Sequence, residues 1–222
     1  MCYNRMVRLS NSIVVGDHKG PRLAVTPEAI VDAAARIVDC EGIDALTLSR
    51  VAAELQVSQP AMYKHVAGVE EVLRRLALRA RHLLAERLRH AAVGRSGDRA
   101  VEAVAAAWRA FVKEHPGLYA ATDRHPLAGF TDLEEAVADI ISILGQIVAG
   151  YGMAEEDAEH GAWSLRSAIH GFVVLEAEQG HPGPLDLDES FARLIRLMCG
   201  GLRDMAGAPP TGRPGRTRRS SR

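Results

Sequence analysis

The chain has 222 residues, of which 47% are hydrophobic and 25% charged, so it is long enough to bury one or two cores. Its formal net charge of −1 gives no global signal for nucleic-acid binding, so any such function must rest on a local pattern. The three cysteines are widely spaced and no apolar run approaches the roughly 20 residues that span a bilayer, so we expect a soluble, cytoplasmic protein without disulfides, metal or other cofactors.

The N-terminal part of the chain divides into an arm and two amphipathic helices. Residues 1–24 have no hydrophobic period and an excess of basic residues, which predicts a mobile basic arm whose SIVV run is the chain's only strand-like stretch. Thr26 followed by proline and glutamate predicts the start of a first helix, which Gly42 ends. Thr47 predicts the cap of a second helix.

The stretch LQVSQPAMYKHV, residues 55–66, predicts a short third helix that is poor in apolar residues. Ser58 can cap this helix, and Pro60 is tolerated in its first turn. Met62 and Val66, four residues apart, are its only anchors to a core. We therefore expect the remaining side chains to face outwards, namely Gln59, Pro60, Ala61, Tyr63 and Lys64.

The spacing of apolar residues indicates helices in the rest of the chain as well, which predicts an all-α fold with about nine helices. A long helix is expected from about Val69 to Ala92, with an inward stripe of Leu73, Leu76, Ala77, Ala80 and Leu84. Further helices are expected at about 98–114, from HPGLYAA onward, along the stripe from Leu133 to Val148, from Ala162 to near Gly180, and from Phe191 to Met205. Residues 208–222, which hold five arginines and no acid, predict a disordered tail.

Two short helices joined by about three residues are typical of a helix-turn-helix, in which the second helix enters the major groove of DNA. Gln59 can hydrogen-bond a base edge, and Pro60 and Ala61 are small enough to touch a thymine methyl. Phosphate contacts are expected from the start of the second helix and from the end of the third. Together with Ser58, the expected DNA-binding residues are Thr47, Ser49, Arg50, Gln59, Pro60, Ala61, Tyr63, Lys64 and His65.

The stretch EGIDALTLSRVAAELQVSQPAMYKHV resembles the DNA-binding domain of the TetR family of bacterial transcriptional repressors, over roughly residues 26–80. The resemblance implies a DNA-binding domain over 25–85 and assigns DNA contacts to Gln59, Pro60, Ala61, Tyr63 and His65. Three positions depart from the family: Gln56 replaces the usual turn glycine, Val69 a phosphate-binding lysine, and Ser49 an arginine used by the tetracycline repressor. Gln56 is expected to carry backbone strain.

A second, weaker resemblance covers roughly residues 95–205, where WRAFVKEHPGLYAA and AWSLRSAIHGFVVLEAEQG are similar to a regulatory domain of the same family. It implies a ligand-binding and dimerisation domain over 86–207, with the last two helices forming an interface between two subunits. An apolar small-molecule effector is expected to contact Trp108, Phe111, Tyr119, Trp163, Leu165 and His170. The same aromatic residues could instead fill the core.

These features predict a dimeric, ligand-responsive regulator that a small molecule releases from a palindromic operator. Two alternatives remain open. His82, Glu86 and His90 share a helix face at metal-ligand spacing, which would fit an enzyme, although a solvated, arginine-rich helix face explains them better. Residues 26–75 hold five basic against eight acidic residues, which would fit a partner-binding protein that has lost DNA binding.

Overall fold

The computed structural model describes residues 25–125, 127–180 and 183–207, so the predicted arm with its SIVV run and the predicted tail lie outside the described residues. The described part forms nine α-helices and one short 3-10 turn, Ile43–Ala45. The helices are α1 (Pro27–Glu41), α2 (Leu48–Glu54), α3 (Gln59–Met62), α4 (Val69–Ala92), α5 (Gly97–Glu114), α6 (Pro116–Arg124), α7 (Thr131–Ala149), α8 (Glu155–Ala177) and α9 (Leu187–Gly207). The prediction of an all-α fold with about nine helices is confirmed.

Local capping signals determine several helix ends. The Thr26 hydroxyl accepts a hydrogen bond from the Ala29 N–H at 3.1 Å, and the Thr47 hydroxyl accepts one from the Arg50 N–H at the same distance. Gly42 ends α1 with a φ of 89°, a conformation that glycine adopts without steric cost. Ser58 occupies the N-cap position of α3, but its side chain makes no capping hydrogen bond, so the expected hydroxyl cap is wrong.

Contacts divide the chain into two units, one with the described residues up to Arg81 together with His115–Leu133, the other with His82–Glu114 and the described residues from Glu134 onward. The first unit is built on α1, whose predicted stripe is buried throughout: Ile30, Ala33, Ala34, Ile37 and Val38. Besides α2 and α3 it contains α6, which packs directly on α1.

The packing of α6 in the first unit is reinforced by partly buried polar contacts. Asp39 of α1 accepts a hydrogen bond from the Leu118 N–H at 2.7 Å, and its other carboxylate oxygen lies 2.9 Å from His115 Nδ1. Arg81 of α4, only 5% exposed, donates to the Thr122 carbonyl at 2.8 Å. These bonds hold one end of α6 to α1 and the other end to α4.

In the second unit, α5 packs against α8 and α9, which also pack against each other. Its core contains most of the predicted inward stripes, including Leu84, Leu144, Leu165 and Ile169. In α4, which contributes to both units, Leu73 is only half-buried whereas Val72 is fully buried. The predicted stripe was therefore wrong at Leu73, because a run of consecutive apolar residues does not reveal which of them lies innermost.

Candidate DNA-binding interface

The turn between α2 and α3 confirms the expected strain at Gln56. Its backbone adopts a φ of 55°, a left-handed conformation that side chains other than glycine disfavour. The following Val57 N–H donates to the Ala52 carbonyl at 3.0 Å, which closes the turn behind α2. The chain therefore keeps the backbone geometry of a helix-turn-helix although it lacks the glycine.

Replacing Gln56 by glycine is expected to raise the free energy of unfolding by about 1 kcal/mol, because the left-handed strain disappears. Chemical unfolding followed by circular dichroism measures the change. The matched control is Ala53→Gly, an exposed position inside α2, where the same residue should lower the free energy of unfolding by about 1 kcal/mol. A loss of stability in both variants would contradict the strain at Gln56.

Both predicted anchors are buried, but α3 ends at Met62, so the predicted helix was too long and Val66 lies in the chain that follows it. Met62 is 0% and Val66 3% exposed, while Tyr63 is 56% exposed. The other predicted contact residues are accessible as follows: Thr47, Ser49, Ser58, Gln59, Pro60 and Lys64 are exposed, and Arg50, Ala61 and His65 are half-buried. Only Ala61 departs from the expected outward orientation, because it lies beside the Met62 anchor. The structure thus brings one polar, solvent-facing surface together from α2 and α3.

Arg50 is the predicted phosphate-binding cation of α2, but carboxylates already hold its guanidinium. Its Nη2 lies 2.6 Å from a Glu41 carboxylate oxygen and its Nη1 lies 3.2 Å from one of Glu54. The hydrogen bond from Arg50 holds the pKa of the Glu41 carboxyl below its usual range. Arg50 must therefore exchange protein carboxylates for phosphate if it is to bind DNA. Sequence reasoning missed this pairing because Glu41 is nine residues away.

The predicted ligand-binding residues are distributed over both units. Trp108 and Phe111 of α5 and Leu165 of α8 are at most 2% exposed within the second unit, where their helices pack together. His170 of α8 is half-buried, whereas Trp163 is 54% exposed and has the Arg166 guanidinium 5.2 Å from its ring. Tyr119 belongs to α6 in the first unit, whereas the other five residues belong to the second.

The second unit also contains an open cleft of about 380 Å³ between the C-terminal half of α4 and α7. None of the predicted ligand residues lines it. Its wall is formed by Arg89, Ala92, Val93, Arg95, Ser96, Asp139, Ser142, Ile143, Gln146, Ile147 and Gly150. The cleft mixes apolar side chains with charged ones, and it arises from the spacing of two helices, which no local sequence pattern reveals.

Two further features bear on the alternative functions. The described residues contain no group of three or more histidine, cysteine or acidic side chains arranged to hold a metal ion. None of the helices in the described ranges is both long and apolar enough to cross a membrane.

Comparison with known proteins adds independent information on both halves of the chain. Residues 30–76 match the domain family described as bacterial regulatory proteins of the tetR family, and residues 101–198 match the tetracyclin repressor-like C-terminal domain. The chain is 33% identical to the HTH-type transcriptional regulator YobS of Bacillus subtilis over 82% of this chain and 95% of YobS. It is also 33% identical to the regulator Rv0681 of Mycobacterium tuberculosis, over 79% and 80% of the two chains.

A third relative, the HTH-type transcriptional repressor DrrR1 of Streptomyces coeruleorubidus, is 31% identical over 57% of this chain and 47% of its own. Among solved structures, the regulatory protein SCO4313 has a TM-score of 0.64 at 24% identity, covering 78% of this chain and 95% of that one. BioQ bound to its double-stranded DNA operator has a TM-score of 0.61 at 24% identity, covering 81% and 99%. These two structures share the fold.

The members of the matching family are DNA-binding regulators rather than enzymes, which removes the metalloenzyme alternative for His82, Glu86 and His90. The identities to YobS and Rv0681 extend over most of all three chains and include both domains. This chain belongs to the TetR family of helix-turn-helix transcriptional regulators.

Proposed function

We propose that this protein is a cytoplasmic, dimeric repressor that a small molecule releases from a palindromic DNA operator. The observation that carries the proposal is the helix-turn-helix surface itself, because Met62 and Val66 are buried whereas Gln59, Pro60, Tyr63 and Lys64 are exposed. Family membership supports DNA binding, the relative DrrR1 is named a repressor, and BioQ has been solved with its operator.

The exposed first residues of α3 contact the bases. Gln59 offers an amide to a base edge, while Pro60 and Ala61 allow close approach and contact with a thymine methyl. Tyr63, Lys64 and His65 lie beyond the end of α3 and donate to phosphates, as does the start of α2 through Thr47 and the backbone N–H groups. Phosphate contacts position the protein on the duplex, and base contacts give it sequence preference.

The substitution Glu41→Gln removes the closer of the two carboxylates that hold Arg50 and is expected to favour contact of Arg50 with a phosphate. Each added phosphate contact makes the slope of log K against log salt steeper by about 0.9, so operator binding should become more sensitive to salt by that amount. Binding isotherms at several salt concentrations measure the slope. Glu70→Gln removes the same charge from an exposed site in the first unit, so an equally large change there would show a general charge effect instead.

The dimer is formed by the outer faces of α8 and α9. These faces expose large apolar side chains, with Trp163 at 54%, Leu175 at 55% and Leu197 at 73%. Gly171 and Gly201 lie among them, and a Cβ atom added at either would meet nothing within 4 Å, so another helix can approach closely. An apolar face of this kind supports packing against the same face of a second copy.

Leu197→Glu is expected to convert the dimer into a monomer, because a carboxylate would be buried without a partner. Light scattering measures the mass, and binding to a two-half-site DNA should weaken at least tenfold because the second head is no longer tethered to the first. The control Leu83→Glu places the same charge on an exposed leucine of α4. A Leu197→Glu protein that stays dimeric would rule out this interface.

The effector binds in the second unit and must prefer the released conformation, since a ligand with equal affinity for both states shifts nothing. Among the predicted ligand residues of that unit, half-buried His170 is the candidate for a polar contact with a largely apolar effector, because Trp108, Phe111 and Leu165 are at most 2% exposed and belong to its core. Linkage makes the effect reciprocal, so operator DNA must weaken effector binding by the same factor.

A partner-binding protein that has lost DNA binding remains the second candidate. The ion pairs that occupy Arg50 and the acidic balance of residues 26–75 favour it, because both weaken the attraction to phosphate.

Selection of bound sequences from random DNA distinguishes the two functions. The purified full chain is incubated with random duplexes at low salt, and the bound pool is sequenced. The proposed regulator enriches a palindrome, which then serves as a probe for effectors that release it. A pool that stays random even at low salt contradicts operator binding and favours the partner-binding function.

A further inference from the structure

The side chains of Ser49 and Gln59 meet across the helix-turn-helix. The Ser49 hydroxyl donates a hydrogen bond to Gln59 Oε1 at 2.9 Å. Ser49 lies in the first turn of α2, Gln59 is the first residue of α3, and both residues are exposed on the proposed DNA-facing surface. The bond is therefore between two side chains at the surface where bases are to be read, and it is not part of the core.

This contact constrains the group that Gln59 offers to DNA. A glutamine amide carries one acceptor oxygen and an NH₂ group with two donors, which lie on opposite sides of the amide carbon. A free glutamine can use both, accepting from N6 of adenine and donating to N7. When the oxygen is directed towards Ser49, the NH₂ group becomes the part that faces away from α2.

We infer that Ser49 is a positioning residue for base recognition, which orients the Gln59 amide so that it reads hydrogen-bond acceptors. This inference rests on the proposed operator binding. Guanine presents two adjacent acceptors, N7 and O6, in the major groove, whereas adenine pairs a single acceptor with a donor. The base pair that Gln59 contacts in each half-site is therefore read as guanine rather than adenine.

The test compares the base preferences of the wild type with those of Ser49→Ala, Gln59→Ala and the double variant, by sequencing DNA selected by each full-length protein. Gln59→Ala identifies the position that Gln59 reads, because the preference there disappears. Ser49→Ala is expected to shift the ratio of adenine to guanine affinity at that same position about tenfold towards adenine. In the Gln59→Ala background the Ser49→Ala substitution should change nothing further, since the two act through one contact.

Ser49→Thr keeps a hydroxyl at the same place and should restore the wild-type preference, which a merely structural role of Ser49 would not require. An unchanged profile for Ser49→Ala overturns the inference. Uniform weakening at all sequences does so as well, because it would make Ser49 a phosphate contact. If the wild type itself selects no sequence, the proposed operator binding fails, and this outcome is distinct from a selective wild type whose Ser49→Ala variant reads the same bases.

Discussion

Alanine in place of Gly117 is expected to detach α6 from α1 and to lower the free energy of unfolding by about 3 kcal/mol. A Cβ atom at this position would lie 1.8 Å from the Val38 carbonyl oxygen and 2.7 Å from the Asp39 nitrogen. Both are backbone atoms, so the clash cannot be relieved by rotating a side chain. Moving α6 away would also break the bond from the Leu118 N–H to Asp39.

Urea unfolding followed by circular dichroism measures the effect of Gly117→Ala. The matched control is Gly145→Ala, inside α7, where an added Cβ would meet nothing within 4 Å. Because alanine favours helix over glycine, this control should gain up to about 1 kcal/mol. Equal stability of Gly117→Ala and the wild type would contradict the close packing of α6 on α1.

Truncation of Trp108 to alanine is expected to cost about 3–5 kcal/mol of the free energy of unfolding, the range found for large aromatic residues in cores. Trp108 is only 2% exposed on α5, so its removal leaves a cavity within the second unit. Leu83→Ala, which truncates a 38% exposed residue of α4, should cost less than about 1 kcal/mol.

The same variant distinguishes the two roles that the sequence allows for Trp108. A residue lining a preformed pocket would tolerate truncation with little loss of stability, and its main effect would be on effector binding. A large loss of stability would instead identify Trp108 as core. A loss below about 1 kcal/mol would contradict the packing described for α5.

Local features of the fold were predictable from the sequence. The bounds of α4, the Thr26 and Thr47 caps and the two anchors of α3 all follow from the spacing of apolar residues and the chemistry of helix ends. The strain at Gln56 was predictable because the family resemblance identified a glycine position.

Contacts between distant residues could not be predicted in this way. The ion pair of Arg50 with Glu41, the bond between Ser49 and Gln59, and the inclusion of α6 in the first unit all join residues that lie apart in the sequence. The Ser58 hydroxyl makes no cap although its residue type and position favour one, which shows that a capping residue does not guarantee the hydrogen bond.

Hydroxyl-radical footprinting of the full-length protein on the selected DNA tests whether α3 of each subunit enters a major groove. We expect two protected tracts on one face of the duplex, with centres about one helical turn, or 10 base pairs, apart. Protection of a single tract, or equal protection of all faces of the duplex, would contradict the binding of two α3 helices to a palindromic operator.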